Sequence, residues 1–237
     1  LGGVVTACQN APAEMAILWS SSSTIFRNGE PHLDSVRYAF EGCSFAGYNV
    51  RFITEEQCAA GGLADVKVLV LPDTPALTDA AFAAIKDYVE QGKTLVRTAA
   101  IIQFDERGGS RRDIMSNTKD TLLVRGQHDV QAREYLHALD AVMSSGVLTP
   151  IPRTVNSHGY PLEGVKSRYV EIDGQGHLYV INLRKEPVVC HLTGDNQSGR
   201  DLIGAQDVSF PTQLKPLEPM LVNLGSVMGD DAVCAGE

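Results

Sequence analysis

The sequence predicts an α/β protein in which a flavodoxin-like, doubly wound parallel sheet is followed by a small antiparallel β-sandwich. Short apolar runs alternate with stretches of helical period over residues 14–146, which is typical of a parallel sheet with helices on both faces. After Pro150 the period changes to two, as in half-buried antiparallel strands. We therefore expect a linker or tail at 1–13, an α/β domain at 14–148 and an all-β domain at 149–237.

The first domain contains five short apolar runs of the kind that form buried parallel strands. They are Met15–Trp19, Val50–Ile53, Val66–Leu71, Thr94–Arg97 and Thr121–Val124. Three stretches with an apolar residue every three or four positions predict helices over 32–46, over 78–91 and between Asp129 and Gly146. A glycine follows each helix, where it can form a left-handed C-cap: Gly47, Gly92 and Gly146.

The last part of the chain contains alternating runs that predict a β-hairpin and three more strands. Residues 168–172 and 177–183 form the hairpin, around a turn at 173–176 that contains two glycines. Further strands are expected at 188–192, 208–210 and 220–224, and a turn-rich loop at 194–199.

Composition and charge exclude several classes of partner. The chain has 237 residues, of which 43% are hydrophobic, and a net charge of −9. An acidic surface repels the phosphate backbone, so we expect no nucleic-acid partner. No apolar run approaches the roughly 20 residues of a membrane span, so we expect no membrane partner. The compartment stays open, with the cytoplasm favoured.

The cysteines and histidines give no pattern of a metal site. Five cysteines are scattered without a C-x-x-C spacing, which disfavours a zinc site or a disulfide framework: Cys8, Cys43, Cys58, Cys190 and Cys234. The six histidines form neither H-x-x-x-H nor H-E-x-x-H, and we expect them at the surface, solvated or hydrogen-bonded: His32, His128, His137, His158, His177 and His191. We expect no metal and no cofactor.

The carboxyl ends of the predicted parallel strands are the expected ligand site, because open parallel sheets bind ligands there. The polar and aromatic residues at these ends are the candidate ligand-binding residues: Trp19, Ser20, Ser21, Glu55, Asp73 and Thr98. They include no nucleophile beside a base, no glycine-rich phosphate loop and no cluster of metal ligands. We therefore expect no catalytic residue in this chain.

Two of these candidates have alternative interpretations. Glu55 and Asp73 could face each other as a glycosidase acid pair, or they could serve as helix caps and turn formers. Trp19, the only tryptophan, could stack on a sugar, fill a subunit interface or pack in the core. Cys43 lies between two glycines but on the apolar stripe of a predicted helix, where burial makes a thiol inert.

Three segments of the first domain carry a family resemblance, namely AILWSSS at 16–22, LDSVRYAFEGCSFAGYNVRFI at 33–53 and VKVLVLPDTPALTDAAFAAIKDYVEQGKTLVRTA at 66–99. They resemble the class I glutamine-amidotransferase-like domain, and above all the trimerisation domain of family 42 β-galactosidases. In the second domain, Leu178–Asn182 and Leu214–Val222 resemble the small β domain that ends that family.

The resemblance implies a domain without its original chemistry. Active amidotransferases place a nucleophilic cysteine directly after the strand that corresponds to Thr94–Arg97, where this chain has Thr98, Ala99, Ala100 and Ile101. The family's two catalytic carboxylates lie on an N-terminal barrel with no counterpart here. The chain is therefore expected to be a C-terminal fragment, or a stand-alone relative, of a carbohydrate-active enzyme.

The function that follows is a non-catalytic accessory region that forms a homo-oligomer, a trimer by resemblance, and could shape a neighbouring sugar site through residues 19–24. One alternative is an amidotransferase-like hydrolase of small molecules with a displaced nucleophile, Cys43 or Cys58. Another is a stand-alone carbohydrate-binding module that uses Trp19 at the sheet edge.

Overall fold

The computed structural model describes residues 1–26, 30–98, 102–111, 121–124, 129–195 and 197–226. These residues form two compact units. The α/β unit contains residues 13–44 and 49–150, and the β unit contains residues 1–12 and 45–48 together with the described residues from 151 onward.

The α/β unit is built on a five-stranded sheet whose neighbouring strands are all parallel. Its strands are β1 (Met15–Trp19), β2 (Val50–Thr54), β3 (Val68–Leu71), β4 (Thr94–Thr98) and β5 (Thr121–Val124). They follow the spatial order β2-β1-β3-β4-β5. The pairing confirms the predicted α/β class and the parallel sheet. The continuous apolar runs of β1 and β3 belong to strands that are buried on both faces.

Five helices belong to this unit. They are α2 (Ser21–Ile25), α3 (Glu30–Phe45), α4 (Glu55–Ala59), α5 (Asp79–Glu90) and α6 (Asp129–Ser144). The three long helices lie where the periodicity predicts them, and the Thr78 hydroxyl caps α5 by accepting a hydrogen bond from Ala81 N at 3.3 Å. The five-residue helices α2 and α4 were not predicted, because one turn and a half is too short to display a period.

Helices cover both faces of the parallel sheet. On one face, strand residues pack with α4 and α5 in a single core that includes Ala16, Leu18, Leu69, Leu71, Leu95, Cys58, Ile85 and Tyr88. On the other face the alternating residues are equally buried, as Ile17 and Val70 show. There the ring of Phe52 on β2 stacks on Phe40 of α3 at 5.6 Å, so α3 covers that face.

Gly42 fixes how closely α3 and α6 approach each other. A Cβ atom at position 42 would lie 2.5 Å from Ala132 O and 2.7 Å from Tyr135 Cβ, both on α6. Only a residue without a side chain allows the two backbones to pack at this distance.

The β unit contains one helix and eight strands in its described part. They are α1 (Gly2–Asn10), β6 (Thr154–Val155), β7 (Val165–Ile172), β8 (Gln175–Asn182), β9 (Val188–Leu192), β10 (Ser198–Asp201), β11 (Gln206–Ser209), β12 (Thr212–Leu214) and β13 (Pro219–Ser226). The strands form an antiparallel sheet of order β11-β10-β13-β8-β7 and a second one of order β12-β9-β6. Val180 and Val222 of the larger sheet share one core with Cys190 and Leu214 of the smaller sheet.

The β7–β8 hairpin has a tighter turn than the sequence predicted. Ile172 pairs with Gln175, so only Asp173 and Gly174 form the loop. Both have positive φ values, 50° and 73°, as a type I′ turn requires. This turn matches the right-handed twist of the flanking strands and fixes their register.

Two expectations about this unit were wrong. Residues 1–13 were expected to be a linker or tail, yet α1 forms there: Cys8 is buried, and Arg168 of β7 donates a hydrogen bond to Cys8 O at 2.9 Å. Packing of this kind overrides the low helix propensity of Gly2 and Gly3. The loop expected at 194–199 ends earlier, because β10 begins at Ser198.

The close packing at Gly42 gives a test of the helix arrangement. Substitution of Gly42 by alanine should lower the free energy of unfolding by about 1–3 kcal/mol, because the added methyl group meets backbone atoms that cannot move aside. The fluorescence of Trp19, which lies in the α/β unit, reports the transition in a urea titration.

Gly3 of α1 offers the matched control, since a Cβ atom there would meet no atom within 4 Å. The G3A variant should be unchanged or more stable by up to about 1 kcal/mol. Equal stability of G42A and wild type would contradict the close contact between α3 and α6.

Candidate functional site

The carboxyl ends of four strands meet at one edge of the parallel sheet. Trp19 at the end of β1 pairs with Thr54 of β2, and Leu71 at the end of β3 pairs with Arg97 of β4. Glu55 follows directly after β2, and Asp73 lies two residues beyond β3. The structure thus brings the sequence-predicted candidates to one edge.

The Glu55 carboxylate is the most strongly bonded group at this edge. Its residue is 1% exposed, and its two oxygens accept four hydrogen bonds. Oε1 accepts from Ser20 Oγ and Ser22 N, both at 2.8 Å, and Oε2 accepts from Ser22 Oγ at 3.0 Å and Thr78 N at 2.7 Å. With every favourable acceptor position occupied, this geometry favours a structural role for Glu55 over binding or acid catalysis.

The serines after β1 complete this network. Ser20 is fully buried and caps α2, since its hydroxyl accepts from Ser23 N at 2.9 Å while it donates to Glu55. Ser23 Oγ donates to Ala76 O at 2.7 Å. Ser21, in contrast, is exposed. The contacts of Ser22 and Ser23, and the bond that Thr78 N donates to Glu55, were missed, although the four consecutive serines were a visible signal for a capped turn.

His32 joins the ends of β1 and β3. Its Nε2 accepts a hydrogen bond from Ser20 N at 3.1 Å, and its Nδ1 donates to the carbonyl oxygens of Pro72 and Asp73 at 3.2 and 3.1 Å. These roles require the neutral ring, and burial lowers the pKa of His32. The expectation of a surface histidine was wrong here, because α3 folds its first turn back over the strand ends.

Trp19 and Asp73 lie on either side of His32 and are less enclosed. Trp19 is 40% exposed, and its ring meets the His32 ring edge to face at 6.5 Å between centroids. The half-buried Asp73 carboxylate receives no hydrogen bond from the part of the chain that the structure describes, and burial raises its pKa. Both side chains have surface available for a ligand.

Thr98 presents a buried hydroxyl at the end of β4. The residue is 4% exposed, and within the described ranges its Oγ1 has no hydrogen-bond partner. Such a group costs folding free energy, since it has left water without a replacement bond. The nucleophile position of amidotransferases, expected to be empty at Ala99–Ile101, lies outside the described residues.

The two candidate nucleophiles are poorly suited to catalysis. Cys43 is completely buried, and burial raises the pKa of its thiol. Burial and the negative charges of Glu55 and Glu56 raise the pKa of Cys58 to about 12. Both thiols are therefore protonated near neutral pH, where a cysteine nucleophile has to be a thiolate.

Two further functional classes find no support in the described part of the chain. No group of three or more histidine, cysteine, aspartate or glutamate side chains there is arranged to hold a metal ion. None of the described helices combines the length and apolar character needed to cross a bilayer.

Structural comparison identifies the fold. No protein-family model matches the sequence, and no curated protein does. Among solved structures, the chain is similar to an exo-carrageenase of family GH42 from Bacteroides ovatus, with a TM-score of 0.72 and 17% identity over 95% of this chain. It is also similar to the GH42 β-galactosidase Gan42B from G. stearothermophilus (0.64, 14% identity, 90% of this chain) and to a β-galactosidase from Rahnella sp. R3 (0.65, 12%, 94%).

These similarities show that the chain shares its fold with a part of GH42 enzymes. The chain covers 31% of the carrageenase, 40% of Gan42B and 43% of the Rahnella enzyme, so it spans less than half of each. The resemblance to family 42 β-galactosidases is thereby supported for both units of the chain.

The Glu55 network yields a stability prediction. Replacement of Glu55 by glutamine puts an amide donor where an oxygen now accepts from buried donors, and should lower the free energy of unfolding by about 2–4 kcal/mol in urea titrations. The neighbouring Glu56 is exposed and its interactions with Thr54 and its own backbone are made in water, so E56Q should change the transition much less. Similar midpoints for both variants would refute the structural role of Glu55.

His32 should make stability depend on pH. Its pKa in the folded chain lies below the value of about 6.5 expected in the unfolded chain. Between these two values the unfolded state binds more protons, so the free energy of unfolding should be constant above about pH 6.5 and fall as the pH drops below it. Urea titrations from pH 5 to 8 measure this dependence.

The H32N variant isolates this effect, because its difference from wild type cancels the titrating groups that do not interact with His32. H32N should be less stable than wild type above pH 7, and the difference should shrink as the pH falls. His137 is exposed on α6, so H137N should follow the wild-type curve. A constant difference between H32N and wild type would show that His32 is not held neutral.

Proposed function

We propose that this chain is a non-catalytic accessory region of a β-galactosidase-like glycoside hydrolase. The observation that carries the proposal is the similarity of nearly the whole chain, 90–95% of it, to less than half of enzymes of that class. A region that matches only part of such an enzyme is suited to assembly or to shaping a site whose catalytic residues lie elsewhere.

The proposal includes a more specific assignment of the fold of each unit. The order β2-β1-β3-β4-β5 is the one found in flavodoxin-like doubly wound sheets, and the two antiparallel sheets with a shared core suit a β-sandwich. We assign the α/β unit to the amidotransferase-like trimerisation domain of family 42 enzymes, with its nucleophile absent.

The chemistry of the strand ends supports the non-catalytic role. Glu55, the better placed of the two candidate carboxylates, is fully occupied by four donors, and an acid pair with Asp73 would require it to give up those bonds. The protonated state of Cys43 and Cys58 argues equally against a displaced nucleophile.

Assembly into a homo-oligomer, a trimer by resemblance, is the proposed role of the α/β unit. It retains large apolar side chains at its surface, among them Ile25 at 83% and Phe52 at 47% exposure. Phe52 lies on β2, which pairs only with β1 within the described sheet and so forms its edge. A carbohydrate-binding module stays the second candidate function, favoured by the partly exposed Trp19 at the mouth of β1.

Two measurements on the purified chain test the proposal. Incubation with a nitrophenyl β-galactoside should release no nitrophenol above the buffer rate, because no described group can act as nucleophile or acid pair. Light scattering after gel filtration should give about three times the chain mass of 25.5 kDa. Turnover by clean protein would overturn the non-catalytic role, and a monomer at high concentration would overturn the assembly role.

A further inference from the structure

The carboxyl edge of the parallel sheet contains two polar groups that the described residues leave without a partner. One is the hydroxyl of Thr98, on a residue that is 4% exposed, and the other is the half-buried carboxylate of Asp73. The buried side chains of Ser20, His32 and Glu55 at the same edge are all hydrogen-bonded within the chain. A buried hydroxyl and a half-buried carboxylate, neither hydrogen-bonded by a described residue, therefore lie at one edge and can both bond to a ligand.

Strand register brings these two groups together. Leu71 at the end of β3 pairs with Arg97 of β4. The residues that follow them, Pro72 and Thr98, therefore lie at about the same height along the strand direction, and Asp73 comes directly after Pro72. Side chains alternate along a strand, and Leu95 of β4 packs in the α4/α5 core. Arg97 therefore points to the same side as Leu95, and Thr98 points to the opposite side. Thr98 therefore faces the side that α3 covers.

Asp73 lies on the same side. Its carboxylate interacts electrostatically with His32 of α3 and with Tyr135 of α6. Its backbone carbonyl oxygen accepts a hydrogen bond from His32 Nδ1 at 3.1 Å, which fixes the residue against the first turn of α3. The Thr98 hydroxyl and the Asp73 carboxylate thus share one side and one edge of the sheet.

Trp19 supplies an apolar wall beside them. Its side chain also points to the α3 side, since its neighbour Leu18 belongs to the opposite core. The His32 ring contacts the indole edge to face and binds the backbone of Asp73, so a single side chain separates Trp19 from Asp73. At 40% exposure, the indole has a face free for stacking.

We propose that Asp73 and Thr98 are the hydrogen-bonding pair of a saccharide site at this edge, with the Trp19 indole as its stacking wall. A carboxylate accepts hydrogen bonds from sugar hydroxyls, a threonine hydroxyl both donates and accepts, and an indole packs on the apolar face of a pyranose ring. Glu55 and Ser20 lie behind the site and position Trp19, without contacting the sugar.

Other ligand classes fit less well. An anion would be repelled by Asp73, and a metal ion would need more ligands than the described side chains provide here. A neutral, hydroxyl-rich ring satisfies both groups without adding charge. The choice of a galactose-type sugar as probe rests on the proposed function, whereas the three residues of the site are identified by their contacts alone.

The single tryptophan makes a direct titration feasible, since all tryptophan fluorescence comes from the proposed site. The full chain is titrated with D-galactose and with lactose, each up to about 100 mM, which reaches the weak affinities of single-sugar sites. We expect a saturable change in the emission of Trp19, because a bound sugar would cover its exposed surface. The D73N and T98V variants should bind at least about tenfold more weakly, the loss of one good hydrogen bond.

Two controls keep the result interpretable. The T98V variant loses only a hydroxyl that has no described partner, so it should unfold at the wild-type urea concentration or above. Asp173 lies in the β7–β8 turn of the other unit, at a positive φ that asparagine also adopts, so D173N should bind like wild type.

Two results would overturn the site. One is a flat titration with both sugars for folded wild-type protein. The other is saturable binding that D73N and T98V leave unchanged, which would place the sugar on Trp19 without this pair. Neither result affects the light-scattering or nitrophenyl measurements, so failure of the site and failure of the accessory function are distinguishable.

Discussion

The buried carboxylate of Glu55 is the constraint on which the carboxyl edge of the α/β unit depends. A carboxyl group that is 1% exposed is tolerated only when hydrogen bonds replace its hydration. Its donors come from the segment after β1 and from the residue that caps α5. Because Glu55 itself follows β2, one side chain ties three chain segments together. His32 adds β3 to the same assembly, since it binds Ser20 on one side and the backbone after β3 on the other.

The parts of the fold that could be predicted are those with a repeated pattern. Val68–Leu71 is a continuous apolar run, and α5 repeats its apolar residues over three turns, so both were visible in the sequence. Elements too short to repeat a pattern were not, such as α4 and the two-residue strand β6. Helix α1 was hidden for a different reason, because tertiary packing stabilises a segment whose glycines favour no helix.

The candidate site could be located from the sequence, but the different roles of its residues could not be predicted. The rule that ligands bind at the carboxyl ends of parallel strands selected Glu55, Asp73 and Thr98 without distinguishing them. What separates them is the number of hydrogen bonds each one makes, and the bonds of Glu55 join positions up to 35 residues apart. His32 was missed because its role depends on how the first turn of α3 folds over the strand ends, which no local pattern encodes.

In one half of this edge, around Glu55, the buried polar groups are hydrogen-bonded, and we call it the saturated half. In the other half, at Thr98 and Asp73, described residues supply no such bonds to the side chains, and this contrast bears on function. Around Glu55 each donor has an acceptor, which is how a sequence stabilises a fold. At Thr98 a hydroxyl is buried without a described partner, at a cost of about 1–3 kcal/mol. A valine has the same shape and would avoid this cost, so a chain that only had to fold would be better served by valine. Residues whose replacement by a simpler side chain would make the fold more stable are concentrated at functional sites. The half-buried Asp73, which receives no hydrogen bond from a described residue, follows β3 at the same edge, next to an aromatic ring that is left partly in solvent. The saturated half holds that ring and the aspartate in place through His32, so the groups that stabilise the fold also preorganise the groups that are left to bind.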